Sequence, residues 1–193
     1  GQKKRMIEII DDVLPKDQYN KINKFITESN FLWQWTNGTV DMFAAGTNRD
    51  TPQFVRNILT LDGKEKNQII ELYPEFYNIS IEAVQKSKRT DIIDIVEFDR
   101  IKVNLLTPWP NAPRWHPPHI DTDRENAFSC VYYLHDSDGD TYFFDEDTMR
   151  TVTPKKNRAV LFDAYHSHCS SNPIKKNRRI IVNSVFLVEK EKA

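Results

Sequence analysis

From residue 92 onward the chain passes through six short stretches dominated by β-branched and aromatic residues. They are "DIIDIVEF", "RIKVNLL", "AFSCVYYLH", "TYFFDED", "NRAVLFDA" and "RRIIVNSVFLV", and turn-forming residues separate them. Runs of this length and composition read as strands. So many short strands bury their apolar faces by packing as two sheets or by closing on themselves. The sequence therefore predicts a mainly β fold of the sandwich or barrel kind.

The residues before 92 read differently. "MIEIIDDVLP" is a strand candidate stopped by Pro15. In "PKDQYNKINKFITESN", Tyr19, Ile22, Phe25 and Ile26 share one helical face, and Pro15 suits the first turn. "TPQFVRNIL" predicts a short second helix, because Phe54, Val55, Ile58 and Leu59 recur at helical spacing. "GKEKNQIIELYPEFYNISIEAVQKSK" is mainly helical, with a break or kink at Pro74. With no internal repeat or linker, residues 1–193 read as one domain. A helical preface over about 15–90 buttresses a β core over about 92–188, an α+β chain overall.

Composition excludes several classes of function. There are 27 basic and 28 acidic residues, so net charge argues for neither nucleic acid nor an acidic membrane surface. No apolar run is long enough to cross a bilayer. Cys130 and Cys169 are the only cysteines. Two cysteines make no disulfide framework, and with no leader in view they predict free thiols in a cytoplasmic, reducing setting. The glycines Gly1, Gly38, Gly46, Gly63 and Gly139 are too scattered for a phosphate-cradling loop or a dinucleotide fingerprint.

"RWHPPHIDTD", residues 114 to 123, concentrates metal-binding chemistry. Pro117 and Pro118 hold the segment extended. In an extended segment His119 and Asp121 project from one face, so an imidazole and a carboxylate converge on one ion. His116 and His119 would converge only on a helix. Asp123 shares the parity but is carried roughly 6–7 Å further along by the strand's rise. The second cluster is "FDAYHSHCSS", where His166 and His168 share parity and alternation does not choose between them. The last strand opens with Arg178 and Arg179. Parity places Arg179 with Ile181, Asn183 and Val185, and Arg178 with Ile180, Val182 and Phe186. An inward-facing arginine there needs an anion.

Two histidines and one carboxylate bind one face of iron(II) and leave three positions open. A 2-oxo acid fills two of them and dioxygen the third. A remote carboxylate on that acid then calls for a fixed cation, and the arginine fork suits it better than a lysine.

The order His-x-Asp, His and Arg, within "RIKVNLL", "HID", "VYYLHDSDGDTYFF", "NRAVLFD" and "HCSSNPIKKNRRIIVNSVF", resembles the 2-oxoglutarate- and iron(II)-dependent oxygenases of the prolyl-hydroxylase-like branch. It is most similar to short oxygenase-like proteins encoded by marine cyanophages. The opening "MIEIIDDVLPKDQYNKI" shares that likeness, whereas "NFLWQWTNGTVDMFAAGTN" is not diagnostic. The resemblance implies a double-stranded β-helix, a cupin-like jelly roll buttressed by helices. It implies iron(II) held by His119, Asp121 and His168, the histidine standing eleven residues before Arg179. It implies 2-oxoglutarate as co-substrate, its far carboxylate on Arg179 with help from Tyr133, and Asn104 as a candidate at the iron-side end, with Lys102 on the same strand face. The implied reaction hydroxylates a C–H bond and decarboxylates 2-oxoglutarate to succinate. The family commonly has asparagine where this chain has His135 in "YYLH", and two adjacent glycines where it has "SDGDTYF". His135 reads as a structural strand-end residue.

The primary substrate, whether peptide, nucleoside or small metabolite, is not legible. Trp109, Arg114 and Trp115 precede the first ligand, where they either meet substrate or cover the core. The alternative reading is a cupin-like metal-binding or interaction module without turnover, which has no use for Arg179.

Overall fold

The computed structural model describes residues 6–40, 50–60 and 68–192. Ten strands and three helices follow one another among these residues. They are β1 (Ile7–Ile10), α1 (Lys16–Thr27), β2 (Gln34–Thr36), β3 (Gln53–Thr60), α2 (Gln68–Leu72), α3 (Glu75–Lys86), β4 (Ile92–Leu106), β5 (Ala127–Tyr133), β6 (Thr141–Phe144), β7 (Met149–Val152), β8 (Arg158–Asp163), β9 (His168–Cys169) and β10 (Arg179–Lys190).

Seven strands form a major sheet in the order β1-β8-β5-β10-β4-β3-β2, and three form a minor sheet in the order β7-β6-β9. Neighbouring strands are antiparallel throughout. The two sheets close on Val131, Tyr133, Phe143, Val152, Val160, Phe162 and Ile181. The other face of the major sheet is covered by the helices. Ile22 and Ile26 of α1 and Phe76, Ile79 and Ala83 of α3 pack there against Ile101, Val103, Cys130, Leu161, Val182 and Phe186. Burying an aliphatic or phenyl side chain of this size stabilises the fold by about 1.5–3 kcal/mol. This is the jelly-roll architecture that the resemblance implies, and one form of the two-sheet β fold that the strand pattern predicts, with helices buttressing one sheet.

α1 buries Tyr19, Ile22 and Ile26 with Pro15 at its start, as the helical spacing predicts. Pro74 separates α2 from α3 and caps the latter. Residues 63–67 of that predicted helical stretch lie outside the described residues. "DIIDIVEF" and "RIKVNLL" are one strand, β4, because β10 pairs along their whole length through three register shifts.

The helix predicted for "TPQFVRNIL" is wrong. Gln53–Thr60 is strand β3, paired with β2 and β4. A bulge between Asn57 and Leu59 breaks the alternation, and both faces of the strand are covered. Val55 lies on the face toward the minor sheet, while Ile58 joins the helix-covered core. The apolar residues therefore fall at three- and four-residue intervals and imitate a helix. In consequence the segment before residue 92 is not a purely helical preface, since it gives β2 and β3 to the major sheet.

His135 follows β5 and its Nε2 lies 2.7 Å from Asn23 Oδ1 on α1. Burial, with Arg178 and Lys156 adding repulsion, lowers its pKa from 6.5 to about 4. The folded protein thus keeps His135 neutral over a range in which the unfolded chain takes up a proton. The corresponding stability is present above about pH 6.5 and is lost as pH falls toward 4. Thermal melts across that window should show a smaller acid loss in His135→Gln than in the wild type. Equal losses would remove His135 from the acid response.

Candidate metal and co-substrate site

The loop that leaves β4 returns toward the sheets at "WHPPHID". Backbone bonds fix its register there. His119 and His168 exchange N–H···O bonds of 2.9 and 3.0 Å, an isolated antiparallel bridge that extends the minor sheet. Two residues on, Asp121 N donates to Ala164 O at 2.9 Å. The extended conformation imposed by Pro117 and Pro118 makes both pairings compatible.

Ligand atoms of His119, Asp121 and His168 lie within 4.8 Å of one another. Asp121 Oδ1 is 3.5 Å from the Nε2 atoms of both histidines. Its other oxygen accepts a 2.5 Å hydrogen bond from Ser129 Oγ. His168 Nδ1 faces the His166 carbonyl at 2.8 Å, which can only accept, so Nδ1 carries the proton and Nε2 presents its lone pair. Burial works against charge on Asp121, yet His168 and His119 beside it hold its carboxyl well below the usual carboxylate range. Burial likewise opposes a charged His168, and Asp121 raises its pKa in return. A buried carboxylate facing two imidazole nitrogens is a donor set that fits a divalent first-row metal such as iron(II).

The other histidines are turned elsewhere. His166 is fully buried, with Nε2 3.3 Å from Asp145 Oδ1 and its ring beside Phe143. His116 is also fully buried. Its Nδ1 contacts Ser170 Oγ at 2.7 Å and its Nε2 contacts Asn172 Oδ1 at 2.7 Å, which ties the incoming loop to the segment after β9. Asp123 is exposed.

The three convergent residues open into a cavity of about 630 Å³ between the sheets. Arg179 lines its far part, only 2% exposed. Its Nε donates to Gly139 O at 2.7 Å and its Nη2 to Thr141 Oγ1 at 2.8 Å. Burial lowers its pKa, and among the described residues no carboxylate lies within 4 Å of it. The neighbouring Arg178 is exposed. Tyr133 does not line the cavity. Its hydroxyl bonds to Thr141 Oγ1 at 2.7 Å, and its ring lies 5.8 Å from the Arg179 guanidinium. Burial pushes its pKa up to about 12, so it remains a phenol. Asn104 does line the cavity, with Nδ2 3.5 Å from Gln53 Oε1 and Oδ1 without a partner.

Sequence reasoning missed Thr141, Ser129, Gln53 and Asn183. Thr141 opens β6, and only the closure of the minor sheet onto the major one brings it to Arg179. Parity within "AFSCVYY" does put Ser129 on the face of Tyr133, but nothing local says that Asp121 lies opposite. Of the tryptophan loop, Trp115 packs on Tyr142 and Phe144, whereas Trp109 is 42% exposed beside Trp35.

Gly139 makes the arginine pocket possible. A Cβ there would lie 2.5 Å from Ser171 O and 3.0 Å from Arg179 Cδ. Gly139→Ala should therefore shift Arg179 and weaken 2-oxoglutarate binding about tenfold or more, on the order of one charge-assisted hydrogen bond. Unchanged affinity by calorimetry would show that the arginine can give way without cost.

Residues 112–186 match the model of the 2OG-Fe(II) oxygenase superfamily. No curated protein matches the chain by sequence. Among solved structures, an oxidoreductase of the 2OG-Fe(II) oxygenase family from Burkholderia pseudomallei is 13% identical with a TM-score of 0.67, over 95% of this chain and 86% of that one. A Pseudomonas putida prolyl-4-hydroxylase is 15% identical with a TM-score of 0.57, over 96% and 94%. A Trichoplax adhaerens prolyl hydroxylase, in complex with a hypoxia inducible factor oxygen degradation domain peptide fragment, is 16% identical with a TM-score of 0.60, over 94% and 83%. At such identities these likenesses speak to fold alone.

Proposed function

We propose, from the match of residues 112–186 to the 2OG-Fe(II) oxygenase superfamily model, that this chain is such an oxygenase and hydroxylates a C–H bond of its primary substrate at the His119–Asp121–His168 cluster. The observation that carries the residue assignment is the buried Arg179 facing the same cavity as that cluster, with no carboxylate of its own among the described residues. Such a cation is expensive unless an anion arrives. The far carboxylate of 2-oxoglutarate is that anion.

When bound, iron(II) and 2-oxoglutarate supply the oxidising chemistry: dioxygen is split between succinate, formed with loss of carbon dioxide, and the hydroxylated product. The protein's own groups bind and orient. His119, Asp121 and His168 hold the metal. The His166 carbonyl fixes the tautomer of His168, and Ser129 fixes one oxygen of Asp121. Gly139 and Thr141 hold the plane of the Arg179 guanidinium, and Tyr133 acts on it through Thr141. Asn104 is a candidate for the iron-side end of the co-substrate.

The same reading takes residues 1–193 as one oxygenase domain, supported by β2 and β3 completing the major sheet. Two buried free thiols support a reducing, cytoplasmic setting. Among the described residues no helix is long and apolar enough to cross a membrane.

The test is an anaerobic titration of 2-oxoglutarate into the iron(II) protein. A metal-to-ligand charge-transfer band in the visible is the expected result, followed by succinate formation when oxygen is admitted. A protein that binds iron but yields neither would be a metal-binding jelly roll without turnover.

A further inference from the structure

We propose that the primary substrate carries an anionic group, a carboxylate or a phosphate, seated on Lys102 and Arg100 at the end of the cavity away from Arg179. This deepens the oxygenase reading and rests on it.

Charge is the first argument. The charged residues lining the cavity, histidines aside, are Arg100, Lys102, Arg179 and Asp121 among the described residues. Three cations and iron(II), set against one carboxylate and a dianionic co-substrate, leave two positive charges over. Arg179 and the metal take up the two ends of 2-oxoglutarate. Arg100 has a partial partner in Asp121 Oδ1, 3.5 Å from its Nη2, but that oxygen already faces both histidines. Lys102 has no carboxylate within 4 Å among the described residues. Burial, with Arg100 adding repulsion, lowers its pKa to about 8. Attraction from Asp121 offsets only part of that cost in the free protein, and an arriving anion would offset more.

Place is the second argument. Arg100, Lys102 and Asn104 alternate along β4 and so point to one face. Arg179 pairs with Leu106 of the same strand, four residues from Lys102 and six from Arg100. At roughly 3.3 Å per residue the backbone separations are about 13 and 20 Å. A five-carbon diacid spans at most about 6 Å between its carboxyl carbons, four bonds of roughly 1.5 Å. The contact between Arg100 and Asp121 puts this pair on the metal's side of the cavity. A co-substrate held at Arg179 therefore ends well short of the Arg100 backbone, and the 2-oxoglutarate affinity of Lys102→Met reads directly whether the Lys102 ammonium meets it.

Unmade hydrogen bonds are the third. Asn183 lies directly opposite Lys102 on β10, is 8% exposed, lines the cavity, and leaves Oδ1 without a partner. Arg100 Nε is likewise buried and unpartnered. Buried polar groups left unsatisfied in a cavity wall are groups awaiting a ligand. An asparagine amide offers its N–H donors by a simple flip. With Lys102 and Arg100 it forms a cradle of donors suited to an oxyanion and unsuited to an apolar or cationic group.

The test uses protein loaded with manganese(II) and saturating 2-oxoglutarate, so that the metal and Arg179 are already engaged. Sodium phosphate, sodium acetate or sodium chloride is added at matched ionic strength and the melting temperature followed. Phosphate or acetate is expected to raise it beyond chloride. Phosphate alone identifies a phosphorylated substrate, acetate alone a carboxylated one, and both support a site that reads charge. In Lys102→Met the dissociation constant of the responding anion should rise about tenfold or more, while 2-oxoglutarate affinity stays within about twofold. Unliganded Lys102→Met should melt no lower than the wild type, because a half-buried cation with no carboxylate within 4 Å among the described residues is replaced by a chain of similar volume. Neither anion stabilising the wild type overturns the proposal. So does a tenfold loss of 2-oxoglutarate affinity in Lys102→Met, which would give Lys102 to the co-substrate, and so does a marked fall in its unliganded melting temperature. Failure of the oxygenase reading itself looks different: 2-oxoglutarate then fails to stabilise the manganese protein before any anion is added.

Discussion

Arg179→Met is expected to bind 2-oxoglutarate roughly thirty- to several-thousand-fold more weakly than the wild type, while binding iron(II) about as well. Removing one partner of a desolvated, charge-assisted contact costs about 2–5 kcal/mol, and each 1.4 kcal/mol is about a decade. The split between co-substrate and metal follows from position, because Arg179 donates to Gly139 and Thr141 and touches none of the three convergent residues. Arg179→Lys should recover only part of the loss. It restores charge but not the fork that holds two protein acceptors and presents further N–H groups. Arg178→Met is the control, since Arg178 is exposed one residue earlier on the opposite parity, and its affinity should stay within about twofold. Calorimetry on the anaerobic metal-loaded protein reads all three variants. 2-Oxoglutarate should also raise the melting temperature of the wild type but not of Arg179→Met at the same concentration. Equal affinity in Arg179→Met and wild type would sink the co-substrate assignment and promote the plain metal-binding jelly roll.

Replacing His119, Asp121 or His168 with Ala should remove iron-dependent succinate formation by more than about 100-fold, because even the outer partners of metal ligands are worth 10–100-fold. The informative contrast lies two residues from His168. His166→Ala should keep most of the iron affinity, since the group that orients His168 is the backbone carbonyl of residue 166 rather than its ring. It should instead lose stability, by about 2–5 kcal/mol if emptying this site resembles emptying other buried positions. Its ring fills space beside Phe143 and faces Asp145, which keeps Arg150 at 3.2 Å when the imidazole is gone. Iron binding followed by equilibrium dialysis, beside denaturant unfolding of the apo forms, separates the two effects. Iron lost in His166→Ala and kept in His168→Ala would reverse the assignment.

What the sequence by itself determined is what depends on neighbours along the chain. Pro117 and Pro118 exclude helix on the approach to His119, so an extended segment with His119 and Asp121 on one face was legible locally. Strand alternation put Arg179 with Ile181 and Asn183, and helical spacing put Tyr19, Ile22 and Ile26 on the buried side of α1. Where alternation was interrupted, sequence logic failed. The bulge in β3 mixed the two faces, and a strand read as a helix. Alternation was also silent between His166 and His168, which have the same parity. Only tertiary pairing distinguishes them: His168 bridges His119 across the mouth of the sandwich, while the ring of His166 turns toward β6 and Asp145. The same is true of Thr141 and Ser129, residues of ordinary strands with no local signature, and of the partner that Asn183 faces across the sheet. Closing the sandwich sets Thr141 against Arg179 and Ser129 against Asp121, and antiparallel pairing sets Asn183 beside Lys102 from a distant part of the chain. A contact of that kind depends on strand order and register, and these are set by closing the whole sandwich around its core.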